Sequence, residues 1–373
     1  FQEKKIRYFL DYDICDFFYG RRHPMKPLRL KILNEILLAY GINYYLCLKN
    51  PSPISMKAMT NFHENRYINS LFRDELIDKN TKGIIGSFLK YKDADCPVIN
   101  GILKYTSIYS GASLACSDGL NSNNNCLGIN WSGGFHHAKK STASGFCYIN
   151  DIVLLLLELG KKFRKILYVD IDAHHGDGVE EAFYLSDNIF TVSFHKYGTN
   201  FFPGSGRNSN NGLLLGGKHS LNIPIFNINN KKNYQNVFET TLERVFNYFE
   251  PEIILIQGGS DSLSGDKVGK MNITMSTHSN CIKKLVETNK KFIVLGGGGY
   301  NLENVAKCWV YETSMILNKE LKNDLPYNKY YKYFKTKSLI DDNNKRNCDK
   351  KKPPKYLTKL NKTILYFLDL KYD

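Results

Sequence analysis

No Cys-x-x-Cys pair occurs anywhere in the 373 residues, and the nine cysteines are an odd number. A cysteine zinc site and a closed disulfide framework are thereby disfavoured, and reduced thiols point to the cytosol or nucleus. No run of eighteen apolar residues exists. The longest apolar stretch, Ile152 to Leu157, has the length of a core helix segment, so no membrane span is expected. A P-loop is missing too, because the glycine run Leu295–Asn301 has neither the lysine nor the spacing that one needs. Tryptophan is scarce, at 2 residues, whereas tyrosine (25) and phenylalanine (22) are plentiful. Acidic residues number 36 against 51 Lys and Arg, which leaves a formal charge of +15. A polyanion such as nucleic acid, an acidic tail or an inositol phosphate would suit that charge. Yet Lys and Asn are inflated along the whole chain, as in Asn123–Asn125 and Asn208–Asn211, so the charge reads as a solvated basic surface and no direct DNA binding is expected.

What is present is an alternation of strand-like and helix-like segments. Ile6–Leu10, Leu127–Trp131, Ile166–Ile171, Asn188–Phe194, Ser220–Ile225, Ile253–Gln257 and Phe292–Leu295 read as strands. Asp151–Leu159, Val179–Leu185, Tyr234–Phe249 and Ser279–Thr288 read as helices between them. The near-continuous apolar runs at Ile166 and Ile253 suit parallel strands buried on both faces. The fold class expected is α/β: a single domain with a mostly parallel central sheet and helices on both faces. No linker interrupts residues 1–334, which are expected to form the catalytic body. Residues 335–355 are polar and end in Pro353-Pro354, and read as a loop. Over 356–373, apolar residues at Leu357, Leu360, Ile364, Leu365, Phe367 and Leu368 suggest a last amphipathic helix packing back on the body.

The chemistry concentrates after the strands. Asp170-Ile-Asp-Ala-His-His-Gly-Asp-Gly178 follows the first buried run directly. Asp172 and His174 lie two apart, so at a strand end they point to one side. Asp261, just past the second buried run, is the obvious third ligand. Three protein ligands leave a coordination position open, as in catalytic rather than structural zinc. A second constellation, Asn130-Trp-Ser-Gly-Gly-Phe-His136-His137, also follows a strand. Adjacent histidines suit acid–base work, each oriented by a carboxylate, and Asp170 and Asp177 are the acids to spare. The third is Gly296–Gly299 followed by Tyr300, a tyrosine on a flexible turn that could donate to a developing oxyanion.

Assembled, these residues resemble the arginase/deacetylase superfold and, within it, class I histone deacetylases. The shared stretches are His23–Pro27, Asp95–Pro97, Gly133–Lys140, Ala143–Asp151, Asp170–Phe183, Thr191–Tyr197, Phe201–Gly204, Gly259–Asp266, Gly296–Tyr300 and Cys308-Trp309. The resemblance implies hydrolysis of N6-acetyl-lysine in proteins, histone tails foremost, with one catalytic Zn2+ held by Asp172, His174 and Asp261. It implies pairs of His136 with Asp170 and His137 with Asp177, and a transition-state role for Tyr300. Gly145, Phe146 and Phe202 would wall the tube for the lysine stem, with Asp95 and Val268 at its rim. A structural K+ would sit on main-chain groups of Asp170, Asp172, His174 and Phe194 and the Ser193 side chain. Nuclear residence, chromatin regulation and a corepressor complex follow from the same resemblance.

Departures from that pattern are local. Phe135 stands where the family usually has Leu, at the base of the tube, and Val268 replaces a rim Leu. Lys26 keeps one contact for inositol phosphate and Lys267 stands in for an Arg, but Glu303 puts a carboxylate where the pattern has Arg. A two-manganese ureohydrolase of the same superfold would need a D-x-D pair at Asp261, whereas the next acid is Asp266. A scaffold without activity would not need the intact set, and acetyl-polyamines or longer acyl-lysines are the rival substrates.

Overall fold

Parallel strands rich in Ile, Leu and Val need cover on both faces, and the intervening helices supply it. The computed structural model describes residues 6–71, 73, 95–120, 127–226 and 231–341. The described strands are β1 (Ile6–Phe9), β2 (Cys47–Lys49), β3 (Leu127–Asn130), β4 (Ile166–Asp170), β5 (Ile189–Lys196), β6 (Ser220–Ile225), β7 (Ile253–Gln257) and β8 (Lys291–Leu295). They form one eight-stranded sheet in the order β2-β1-β3-β8-β7-β4-β5-β6. All of its pairings are parallel, as expected for the α/β class. Helices α1 (Leu28–Ala39), α2 (Ile102–Ala115), α3 (Asp151–Leu159), α4 (Asp177–Phe183), α5 (Lys231–Phe249), α6 (Met275–Val286) and α7 (Leu302–Ile316) pack against it.

The pleat sorts side chains between two cores. Leu167, Val169, Ile254, Ile256, Phe292 and Val294 join Leu33, Phe238, Ile282 and Trp309 from α1, α5, α6 and α7. Their neighbours Ile166, Tyr168, Ile253, Leu255, Ile293 and Leu295 join Ile152, Leu155 and Val179 from α3 and α4. Every residue of β4 and β7 is buried. At about 1.5–3 kcal/mol for each large apolar side chain removed from water, these central strands contribute strongly to the stability of the fold.

From β3 the chain crosses to β4 over a gap that β8 and β7 fill later. Such a reversal of strand order opens a crevice beyond the carboxyl ends of the strands. The loops following β3, β4, β7 and β8 all emerge there, and they carry His136, His137, Gly145, Phe146, Asp172, His174, Asp261, Val268 and Tyr300, while Phe202 follows β5 and Asp95 precedes α2. The segment after α7 stays attached to the body as far as Asp341, with Leu339 buried. The loop residues from 342 onward and the helix expected over 356–373 lie outside the described residues.

Candidate metal centre and active site

Strand β4 ends at Asp170, so Asp172 and His174 sit in the turn beyond it rather than on the strand itself. They converge all the same, because Asp172 Oδ1 accepts from the His174 amide at 3.0 Å. Asp172 Oδ2 accepts from Gln257 Nε2 at 2.9 Å and from the Gly298 amide at 2.8 Å. Asp261 comes from the turn after β7, its Oδ1 accepting from the Ala173 amide at 2.8 Å. Its Oδ2 lies 2.8 Å from His174 Nδ1. One ligand atom from each of Asp172, His174 and Asp261 lies within 4.8 Å of the others, and all three residues are buried.

This donor set fits a divalent cation. Two carboxylates share a buried site, and burial followed by the charge of Asp172 pushes the Asp261 carboxyl up. A cation would remove that repulsion. The surrounding backbone approaches the carboxylates closely: a Cβ on Gly259 would stand 2.0 Å from Asp172 Oδ2, and one on Gly298 2.3 Å from Asp261 Oδ2.

Beside this cluster, the turn after β3 delivers both histidines. His136 Nδ1 donates to Asp170 Oδ2 at 2.8 Å, and His137 Nδ1 donates to Asp177 Oδ1 at 2.7 Å. The Tyr168 hydroxyl donates to the same Asp170 oxygen at 2.6 Å. Lys139 Nζ lies 2.8 Å from Asp177 Oδ2, so that carboxylate is already compensated. The two Nε2 atoms stand 2.8 Å apart. Since both Nδ1 atoms face acceptors, that contact requires one further proton between the rings. Burial disfavours charge on His136, but Asp170 and Asp172 outweigh it and hold the ring up at about 9. Burial, then the charge of His136, brings His137 down to about 3. Both directions favour the extra proton on His136 and a neutral His137.

Aromatic rings line the approach. Phe202 stands edge-on to His137 at 4.8 Å between centroids, and Phe201 stacks on His174 at 5.1 Å. Phe146 meets Tyr300 edge-on at 5.4 Å and His23 at 4.6 Å. Gly145 has a φ of +51°, and a Cβ there would fall 2.6 Å from His137 Cδ2 and 2.9 Å from Phe202 Cε1. Tyr300 is fixed by its amide, which donates to Asp266 Oδ2 at 2.7 Å, and burial raises its hydroxyl well above the ordinary value. Asp266 Oδ1 accepts from the Val268 amide at 2.9 Å, so the Val268 turn and Tyr300 share one anchor. Asp95 is exposed, and its carbonyl lies 3.2 Å from His23 Nε2. Phe135 is buried against Tyr109, 4.3 Å between ring centroids. Ser193 faces Asp170 across the β4–β5 register, its hydroxyl 2.9 Å from His195 Nδ1, and Phe194 packs on Phe238.

A model of the histone deacetylase domain matches residues 23–316. The chain belongs to the histone deacetylase family. Its relatives place it among the class I enzymes. It is 43% identical over 365 residues to the type-1 histone deacetylase 1 of Dictyostelium discoideum, spanning 97% of this chain and 72% of that protein. Histone deacetylase B of the same organism is 44% identical over 330 residues, 88% of this chain and 78% of that one. Human histone deacetylase 1 is 41% identical over 337 residues, covering 89% and 68% respectively. Within this deacetylase, several residues that shape the site were not anticipated. Gln257 orients Asp172, Tyr168 shares Asp170, Lys139 neutralises Asp177, and Phe201 covers His174. Asp151 accepts from the amides of Gly134 and Phe135 and so holds the turn before the histidines. Gln257 was the most legible of these, as a polar residue ending an otherwise apolar strand.

Proposed function

We propose that this deacetylase hydrolyses N6-acetyl-lysine in protein tails, histone tails foremost, releasing acetate, with one Zn2+ on Asp172, His174 and Asp261. The observation that carries the reading is the convergence of those three donors with two His–Asp pairs behind an aromatic approach. Bound zinc would supply Lewis-acid polarisation of the acetyl carbonyl and a more acidic water. His137, the neutral ring, accepts the proton of the attacking water and returns it to the leaving lysine amine. His136 keeps its charge against Asp170 and acts electrostatically. The Tyr300 hydroxyl donates to the oxygen that gains charge. Gly145, Phe146 and Phe202 enclose the lysine stem, while Asp95 and Val268 meet the peptide at the rim.

The finer assignments follow the same reading. A structural K+ sits on the main chain of Asp170, Asp172, His174 and Phe194 with the Ser193 hydroxyl. Residues 1–334 are the catalytic body, 335–355 a loop and 356–373 a docking helix. The protein acts in the nucleus within a corepressor complex. Inositol phosphate is not required, because the Glu303 carboxylate already takes up Lys307 Nζ at 2.6 Å and the Lys335 amide at 3.0 Å. Acetate release from an acetyl-lysine peptide tests the function, with Tyr300→Phe as the diagnostic variant. Its kcat is expected to fall by about 10²–10³ while peptide affinity stays within a few-fold. Equal losses in both would remove Tyr300 from the reaction, and no acetate from the unaltered protein would sink the proposal.

A further inference from the structure

Behind the metal centre lies a second group of buried polar side chains that the reaction above does not use. His278 on α6 and Cys308 and Glu312 on α7 are all fully buried. His278 Nδ1 meets Glu312 Oε1 at 2.5 Å, and the Ser279 hydroxyl and Cys308 Sγ donate to the same oxygen, each at 3.2 Å. The other ring nitrogen, Nε2, stands 2.9 Å from the carbonyl oxygen of Gly259, two residues before Asp261. A carbonyl can only accept, so Nε2 must carry a proton. Glu312 secures that state: whether the shared proton sits on the carboxyl or on Nδ1, Nε2 keeps its own.

The neighbouring carbonyl, that of Gly258, accepts from Trp309 Nε1 at 2.9 Å. Two consecutive carbonyls of the turn after β7 are thus held from behind by side chains of α6 and α7. In front, Gly259 lies so close to Asp172 that a Cβ would stand 2.0 Å from its Oδ2. A shift of this turn would move Asp261 and press on Asp172 together. Burying a His–Glu pair in a core costs desolvation that apolar residues of like volume would avoid, so the pair is poorly explained by stability alone.

We propose that His278, oriented by Glu312, is a positioning residue for the metal centre: its Nε2–H fixes the Gly259 carbonyl and thereby the turn that presents Asp261. The inference rests on the reading of Asp172, His174 and Asp261 as zinc ligands. Two substitutions separate the ends of the ring. His278→Asn keeps an amide nitrogen where Nδ1 stands, toward Glu312. His278→Gln places one where Nε2 stands, toward Gly259. Each variant is prepared metal-free, its zinc affinity measured by competition with a chromogenic chelator, and its metal-free unfolding temperature and reconstituted kcat and KM recorded.

The Asn variant is expected to bind zinc about tenfold more weakly or worse, with kcat reduced and KM little changed, as for other groups that orient metal ligands. The Gln variant is expected to recover zinc affinity to near that of the unaltered protein, although both lose thermal stability. Zinc affinity unchanged in His278→Asn, with the loss confined to unfolding temperature, would overturn the proposal. Should that variant not fold, a folded His278→Gln that binds zinc tenfold more weakly overturns it equally. Asp261→Asn serves as the control for the underlying reading: if it binds zinc as tightly as the unaltered protein, the ligand assignment fails, and the positioning role with it.

Discussion

Gly145 shows how much a single residue determines in this site. Its φ of +51° is a conformation that side chains with a Cβ rarely adopt, and the place where a Cβ would stand is taken by His137 and Phe202. Gly145→Ala is expected to cost about 1–2 kcal/mol of stability from backbone strain, read from urea unfolding. Because the added methyl displaces the His137 ring, kcat/KM should also fall, by about tenfold or more. Wild-type kinetics in a folded Gly145→Ala protein would show that the ring tolerates displacement. At this scale much of the site was legible in the sequence. Asp172, His174 and Asp261, and His136 and His137, each follow a strand that announces itself by apolar content. Less legible were the residues that act on them from elsewhere. Lys139 looks like any surface lysine until its Nζ is found 2.8 Å from Asp177. Phe201 and Phe202 are adjacent, and only their placement assigns one to His174 and the other to His137.

Helix α3 links a buried histidine to the catalytic turn. Asn150 caps the helix through its side chain, donates from Nδ2 to the Ala138 carbonyl at 2.9 Å, and donates its amide to His63 Nε2 at 3.0 Å. Burial lowers His63 from the ordinary 6.5 to about 4. The folded value lies below the unfolded one, so between those limits the unfolded chain holds a proton that the native one lacks. The stability tied to neutral His63 is therefore complete above the ordinary value and is lost as pH falls toward the folded one. His63→Gln, which keeps an acceptor for Asn150, should flatten that acid limb by up to one proton, about 1.4 kcal/mol per pH unit. Denaturant unfolding at several pH values checks this, and an unchanged slope would assign the acid sensitivity elsewhere. The sequence reading passed over α1, α2, α7 and β2, and of these α2 and β2 lack a one-sided pattern. Helix α2 buries residues around most of its circumference and accommodates Gly111 because Ser52 approaches too closely for a Cβ. Strand β2 is three residues long and largely exposed, so no alternation marks it. Helix α6 begins at Met275, before the apolar stripe that suggested Ser279, because Thr274 caps it by accepting from the Thr277 amide.

At the scale of the whole molecule, Glu303 is held by the chain's own groups. Glu303 binds Lys307, and its carboxylate also accepts from the Lys335 and Thr336 amides, tying residues 335–341 to α7. Hydrogen bonds to a charged group contribute about 1.5–3 kcal/mol. Glu303→Ala should therefore lower the unfolding temperature, while added inositol hexakisphosphate should leave the activity of the unaltered protein unchanged. Activation by that compound would show that the carboxylate does not substitute for it. The basic charge of +15 has no comparable structural focus at the metal centre, where acids and histidines dominate.

The most direct test of the account joins metal content to turnover. Acetate release from an acetyl-lysine peptide is measured on the protein as isolated, after removal of metal by a chelator, and after stepwise return of zinc. One zinc per chain, turnover abolished by the chelator, and full recovery at one equivalent are the expected results. Turnover indifferent to the chelator, or one bound zinc without release of acetate, would contradict it.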